Sequence, residues 1–173
     1  MSELLDLAER IVGWADEGEQ VEAVVVHERE TEVRAYEGEV ESLTSAESQG
    51  VGVRVVRDGR QGFAYAGTLD SDALAEVLAE ARDNLAFATP DEHCALAEPD
   101  GVEPAELDLY RAALVDHPTE AKVALALDLE RLTRAADPRI SGVESAEYSD
   151  SISESAVATT TGILATGRET GCF

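Results

Sequence analysis

Residues 47–85 constrain the fold more tightly than any other part of this chain. From Gly50 to Arg57 the sequence alternates, which sets Val51, Val53 and Val55 on one side of an extended strand. Asp58-Gly59 comes next. That dipeptide suits a two-residue type I′ hairpin, whose central residues need positive φ. Gln61 to Ala66 then returns beside the first strand. Ser71 is placed to cap a helix with the apolar stripe Leu74, Val77, Leu78, Ala81 and Leu85, one face of a 3.6-residue period. Hairpin-joined strands are antiparallel, because parallel neighbours need longer crossovers. The chain therefore reads as α+β rather than as a doubly wound sheet.

The flanking segments agree with that class. Leu4, Leu7, Ala8, Ile11 and Trp14 or Ala15 predict an amphipathic helix over 2–16, stopped near Gly18. Gln20 to His27 is short and β-branched, as a buried strand is. Thr31 to Tyr36 alternates like a half-exposed partner strand. Glu37-Gly38-Glu39 forms a turn or bulge, and Val40 to Ser45 continues the sheet. Residues 88–117 change character: Pro90, Pro99, Gly101 and Pro104 interrupt an acidic stretch, which predicts a long surface connection. Asp116 or His117 caps a further helix with Pro118 in its first turn, Leu125, Leu129, Leu132 and Ala136 as its buried stripe, and Asp137-Pro138 as its end. Val143 to Tyr148, Ser153 to Thr160 and Ile163 to Thr170 read as shorter strands, with Thr161-Gly162 as a turn. The expected architecture is a mostly antiparallel sheet with hairpins, covered by two to three amphipathic helices. Its organisation is 1–87 for the first helix, sheet and covering helix, 88–117 for the connection, and 118–173 for the last helix and strands.

Charge narrows the partners. Lys and Arg number 13 against 37 Asp and Glu, a net charge of −24. Nucleic-acid binding rests on a basic footprint, and none is visible. The acidity fits a well-solvated surface, or attraction of basic partners, or adaptation to high salt. No run approaches the roughly 18 apolar residues of a membrane helix. The N-terminus lacks the basic start of a secretory signal, so the expected location is cytoplasmic. Cys94 and Cys172 make no disulfide framework.

No catalytic, cofactor-binding or metal-binding residue can be assigned. His27-Glu28 lacks the second histidine one helical turn on that a zinc-protease helix needs. Asp91-Glu92-His93-Cys94 crowds potential ligands into one loop, but adjacent ligands rarely converge on one ion and no second cluster helps. His117 belongs to a helix N-terminus. Gly50-x-Gly52 lacks the third glycine and following helix of a dinucleotide site; glycines within strands mark bulges or close backbone approach. Ser45, Ser48 and Ser153 have no histidine at a suggestive position. The valine-rich hairpin could accept an extended peptide by strand addition if one edge is open; pairing within its own sheet is the alternative.

Residues 20–173 resemble the N-terminal part of the TldD/PmbA family (PmbA is also called TldE). Four stretches carry the resemblance. They are the strands leading into Tyr36-Glu37-Gly38-Glu39-Val40-Glu41; Gly50 to Val55 through Asp58-Gly59-Arg60-Gln61-Gly62-Phe63-Ala64 with the helix behind; Glu106-Leu107-Asp108-Leu109-Tyr110 with Lys122 to Ala136 and Asp137-Pro138-Arg139-Ile140; and Ala156-Val157-Ala158-Thr159-Thr160-Thr161-Gly162. The third leans towards the PmbA-like branch, although Gly62-Phe63-Ala64-Tyr65 also suits the TldD-like one.

The resemblance implies a cytosolic metallopeptidase system. In it TldD-like and PmbA-like subunits pair, as homo- or heterodimers, and a zinc ion on the TldD-like subunit cleaves extended peptides. The family's zinc motif lies further along than residue 173, so no ligand carries over. This chain alone is expected to be non-catalytic, an N-terminal fragment or domain leading into a C-terminal domain and serving subunit pairing and peptide handling. The alternative is a non-catalytic protein-binding or regulatory module, in line with the family's older label as a modulator of DNA gyrase.

Overall fold

Asp58 and Gly59 sit at φ +53° and +70°, the two positive values a type I′ turn requires. They join β2 (Glu39–Arg57) to β3 (Arg60–Ala66). The register is antiparallel, from Arg57 opposite Arg60 to Val51 opposite Ala66. Glu37 and Gly38 repeat the arrangement, at φ +53° and +82°, between β1 (Gln20–Tyr36) and β2. The computed structural model describes residues 3–102, 105 and 107–173. Its strands form a five-stranded antiparallel sheet in the order β3-β2-β1-β4-β5, where β4 is Ala146–Thr159 and β5 is Leu164–Cys172. The helices are α1 (Glu3–Val12), α2 (Ser71–Leu85), α3 (Ala112–Val115) and α4 (Thr119–Ala136). The expected α+β class holds. The residue-2 start of the first helix, Pro104 and Glu106 lie outside the described residues.

Three strands are longer than the sequence suggests. Residues 20–27 and 31–36 belong to one strand, as do 40–45 and 50–57, and the expected strands at 143–148 and 153–160 fuse into β4. Polar stretches such as His27–Glu30 interrupt apolar burial, and burial is what the pattern reports. They do not interrupt the backbone ladder, which needs no apolar side chain. The chain divides into two compact units, residues 1–27, 48–107 and 154–167, and residues 28–47, 108–153 and 168–173. β1, β2, β4 and β5 contribute residues to both.

In the first unit, Val21, Ala23 and Val25 of β1, Val51, Val53 and Val55 of β2 and Ala64 of β3 share a core with Ala8 and Ile11 of α1. The predicted α2 stripe of Leu74, Val77, Leu78, Ala81 and Leu85 closes that core in full. Each fully buried Val or Leu contributes about 1.5–3 kcal/mol. Gly62 lets α2 come down on β3: a Cβ there would lie 1.9 Å from the Ala81 carbonyl oxygen. The α2 N-cap is Asp70 rather than Ser71, which is the first helical residue. The Asp70 carboxylate instead accepts a bond from the Thr68 hydroxyl at 3.0 Å.

The second unit has its own core of Val33, Ala35, Ala126, Ala146 and Tyr148, with Val123 and Leu127 partly buried against it. Here the expected face of α4 is wrong. Leu125, Leu129 and Leu132 are 49%, 50% and 56% exposed, and Ala136 is exposed too. The helix buries Lys122, Ala126 and Glu130 instead. Two polar partners explain this. Lys122 Nζ lies 2.5 Å from Asp150 Oδ2, and the Gly38 N–H donates to Glu130 Oε2 at 2.9 Å. The core this helix meets also includes three alanines, Ala35, Ala126 and Ala146, so the contact is built on small side chains. The α4 N-cap is Pro118, not Asp116 or His117; Asp116 instead ends the short α3.

Candidate functional site

β-strand alternation gives the first unit's sheet a second face. The neighbours of the buried valines are Glu22, Val24 and Val26 on β1, Gly50, Gly52 and Arg54 on β2, and Phe63 and Tyr65 on β3. Together with Val51 and Ala66 they line an open, largely apolar groove of about 460 Å³. That is within the size range of ligand-binding clefts.

The paired glycines shape it. Tyr65 stands opposite Gly52, and a Cβ on Gly52 would lie 3.3 Å from the Phe63 ring. The bare β2 backbone thus leaves room for the Phe63 ring. Phe63 and Tyr65 stack with centroids 6.5 Å apart, yet they remain 53% and 76% exposed. Two exposed rings beside each other are a contact surface in search of a partner. One end of the groove is polar. Arg54 Nη2 lies 2.8 Å from Glu22 Oε1, and Arg54 Nε is buried without a hydrogen-bond partner.

β3 is the last strand of the sheet on this side. In this register the backbone groups of Gln61, Phe63 and Tyr65 point away from β2, because antiparallel pairs alternate. Asn84 of α2 covers one of them, donating to the Phe63 carbonyl at 2.9 Å. Among the described residues no strand lies beside β3 at Tyr65, which is the condition that strand addition to the valine-rich hairpin sets.

Charge pins the helix that supports this strand. Arg82 of α2 donates to both Glu19 carboxylate oxygens, the shortest bond being 2.8 Å, and also to the Trp14 carbonyl. Burial alone would raise Glu19. The Arg82 hydrogen bonds, the Asp16 N–H and the charges of Arg82 and Arg57 outweigh it and hold the carboxyl below its ordinary range. Hydrogen bonding to Glu19 raises Arg82 in turn. In the second unit the Tyr148 hydroxyl donates to Asp150 Oδ2 at 2.7 Å. Burial, followed by the bond to Asp150 and the nearby Cys172, raises the Tyr148 hydroxyl well above the usual phenol range.

The other sequence candidates do not assemble. His27 and Glu28 lie on β1, Ser45 and Ser48 on β2, and Ser153 on β4. Asp91 makes a local turn, accepting from the His93 and Cys94 N–H groups, and its own N–H is bonded to the Gly59 carbonyl. Among the described residues no group of three His, Cys, Asp or Glu is placed to hold a metal ion. These donors do not fit a zinc site. The groove itself left a faint trace in the sequence, Gly50-x-Gly52 set against Phe63-x-Tyr65 across a defined hairpin register. The Glu19–Arg82 and Lys122–Asp150 pairs left none.

Residues 21–85 match the family profile described as PmbA/TldA metallopeptidase domain 1, and residues 113–173 match the PmbA/TldA metallopeptidase central domain. The chain belongs to the PmbA/TldD family. Solved structures share its fold. A protein from Thermotoga maritima, named as a proposed modulator of a DNA gyrase, is 20% identical with a TM-score of 0.81 over 96% of this chain and 37% of its own. TldE from Thermococcus kodakarensis is 18% identical, with a TM-score of 0.78 over 98% of this chain and 36% of its own. A protein from Bacteroides thetaiotaomicron, also named as a proposed gyrase modulator, is 20% identical, with a TM-score of 0.84 over 98% of this chain and 39% of its own. The PmbA/TldD-type chain described here thus spans less than two fifths of the length of these structures. Comparison with curated proteins finds no match. No helix among the described residues is long and apolar enough to cross a membrane.

Proposed function

We propose that this chain forms the N-terminal part of a PmbA/TldD-type metallopeptidase subunit in the cytoplasm, and that it pairs with another such subunit and holds extended peptides for proteolysis. The observation that carries the peptide-handling role is the groove beside the free β3 edge. An extended peptide can add its backbone to the outward groups of Tyr65 and lay side chains against Phe63 and Tyr65. Backbone pairing reads no sequence, as suits substrates defined by being unfolded. With a net charge of −24, basic peptides are attracted faster and more strongly at low salt. Hydrolysis belongs to zinc on the family's catalytic subunit, so binding here needs no metal.

Fluorescence anisotropy with labelled, unstructured peptides tests this. Weak, chelator-insensitive binding is expected, at least tenfold weaker in Phe63→Ala and in Tyr65→Pro. Proline removes the outward N–H, and edge strands tolerate it there. Absence of binding at millimolar peptide, or binding indifferent to both variants, would sink the handling role. The second reading, a non-catalytic protein-binding module, draws on the gyrase-modulator names of two structures with this fold. It predicts binding to a folded protein with no preference for extended peptides.

A further inference from the structure

We propose that the first half of β2, residues 39–47, is an arm of the sheet governed by ionic strength: it opens away from β1 at low salt and seats as salt rises. Two independent observations carry this. The first is burial. From Glu39 to Gln49 the strand buries no side chain. β3 pairs with β2 only from Val51 onward, so among the described residues this stretch has a strand on one side alone. Backbone bonds to β1 hold it, with little apolar burial to reinforce them. Segments of that kind open locally at far lower cost than the rest of a fold.

The second observation is charge. Residues 28–47 carry seven glutamates against two arginines, Arg29 and Arg34. Alternation sets Glu28, Glu30 and Glu32 on one face of β1, roughly 7 Å apart, opposite the face on which Val33 and Ala35 are buried. Arg34 Nε lies 2.6 Å from Glu41 Oε2, which places Glu41, and by the same alternation Glu39, on the glutamate face. Arg34 also lies 3.6 Å from Glu147 of β4, so its charge is divided. Like charges on neighbouring strand positions repel. The Debye length decides when: about 30 Å at 0.01 M reaches across these spacings, and about 3 Å at 1 M does not. β2 also supplies its own control. Beyond Val51 its hairpin with β3 carries Arg54, Arg57 and Arg60 against Asp58, and Arg54 and Arg57 pair with Glu22 and Glu19. Screening weakens those attractions. One strand thus runs from a hairpin that salt tightens into one that it does not.

Hydrogen–deuterium exchange read by mass spectrometry at about 0.01 M and about 1 M sodium chloride tests the proposal, each rate corrected against an unstructured peptide at the same salt. Amides of residues 39–47 are expected to exchange about tenfold faster at low salt, the sum of several weak like-charge repulsions. Potassium chloride should act as sodium chloride does, because screening is not ion-specific. Amides of residues 52–65 are expected to keep their rates or to exchange slightly more slowly at low salt. The double variant E30Q/E32Q should slow exchange of 39–47 at low salt and remove much of the salt response; both side chains are exposed, so the core is untouched. Equal rates for 39–47 at the two salt concentrations overturn the proposal. A response shared equally by 52–65 overturns it by making the opening global. A response that E30Q/E32Q leaves intact overturns it by moving the cause away from the hairpin's own glutamates. No peptide enters this measurement, so failure of the groove to bind peptides leaves its result standing.

Discussion

Gly62→Ala is the sharpest test of how the groove is held in place. The added Cβ would lie 1.9 Å from the Ala81 carbonyl oxygen and 2.6 Å from the Leu85 nitrogen. Both neighbours are helix backbone, so no side chain can rotate away. Ordinary contact requires α2 to retreat by about 1.5 Å, a displacement larger than the gaps that already forfeit a quarter to a half of a contact's attraction. The retreat loosens Leu74, Val77, Leu78, Ala81 and Leu85 together, since all five sit on the face that meets the sheet. We expect a loss of about 3 kcal/mol, the upper end of ordinary overpacking. For a domain of this size that lowers Tm by about 6–12 °C. Peptide affinity should fall as well, because Asn84 of α2 buttresses β3 at the Phe63 carbonyl. Gly67→Ala is the control: nothing lies within 4 Å of its Cβ position. Thermal and urea melts followed by circular dichroism measure both variants. A G62A protein that melts with the wild type and G67A would refute the claim that a bare backbone contact sets the seat of α2.

Glu19→Gln is expected to cost about 1–3 kcal/mol at neutral pH. Because the Glu19 carboxyl is held below its ordinary value near 4.5, its stabilisation is complete above that value and disappears as pH falls through the lower, folded one. Urea melts in acid should therefore show the two proteins converging. Lys122→Met leaves Asp150 buried without its counter-ion, with the Tyr148 hydroxyl still donating to it, for a loss of about 3–5 kcal/mol; the double variant K122M/D150L should recover much of it, which a double-mutant cycle in urea would read. Asp58→Ala must hold φ at +53° at a cost of about 1–2 kcal/mol, whereas Asp58→Asn should melt close to wild type.

The parts of the fold that were legible in the sequence are those in which one residue type answers to one local rule. Asp58-Gly59 could be assigned because positive φ is a backbone property that glycine satisfies on its own. The α2 stripe could be assigned because its core partners are apolar, so hydrophobic period and burial coincide. The continuous strands β1, β2 and β4 were not legible, because their polar middles are held by ladder bonds that carry no side-chain signature. The groove was half legible: Gly50 and Gly52 stood out as odd within a strand, but only the register with Phe63 and Tyr65 gives them a purpose.

α4 shows why the failure is informative. Periodicity finds the face a helix must hide from water; it does not say from which molecule. Leu125, Leu129 and Leu132 are the most apolar stripe on the helix, yet the fold turns Lys122 and Glu130 inward because Asp150 and the Gly38 N–H wait for them. Burying those polar groups unpaired would cost several kcal/mol, and those partners remove that cost. Turning the helix to bury the leucines would strand Asp150 and leave the Gly38 N–H without its acceptor. The fold resolves the conflict in favour of the polar pairs, and the leucines remain in water. A stripe of that size is retained against solvent at a cost in solubility. The same logic applies to Phe63 and Tyr65: their strand is fixed by Gly62 and by Val51, Val53 and Val55 on the other face, so the rings contribute nothing to the core that their loss would damage. Substitutions at Leu129 and Phe63 should therefore leave Tm nearly unchanged, while the Phe63 change alters peptide binding. A large fall in Tm for either would mean that these side chains serve the fold itself.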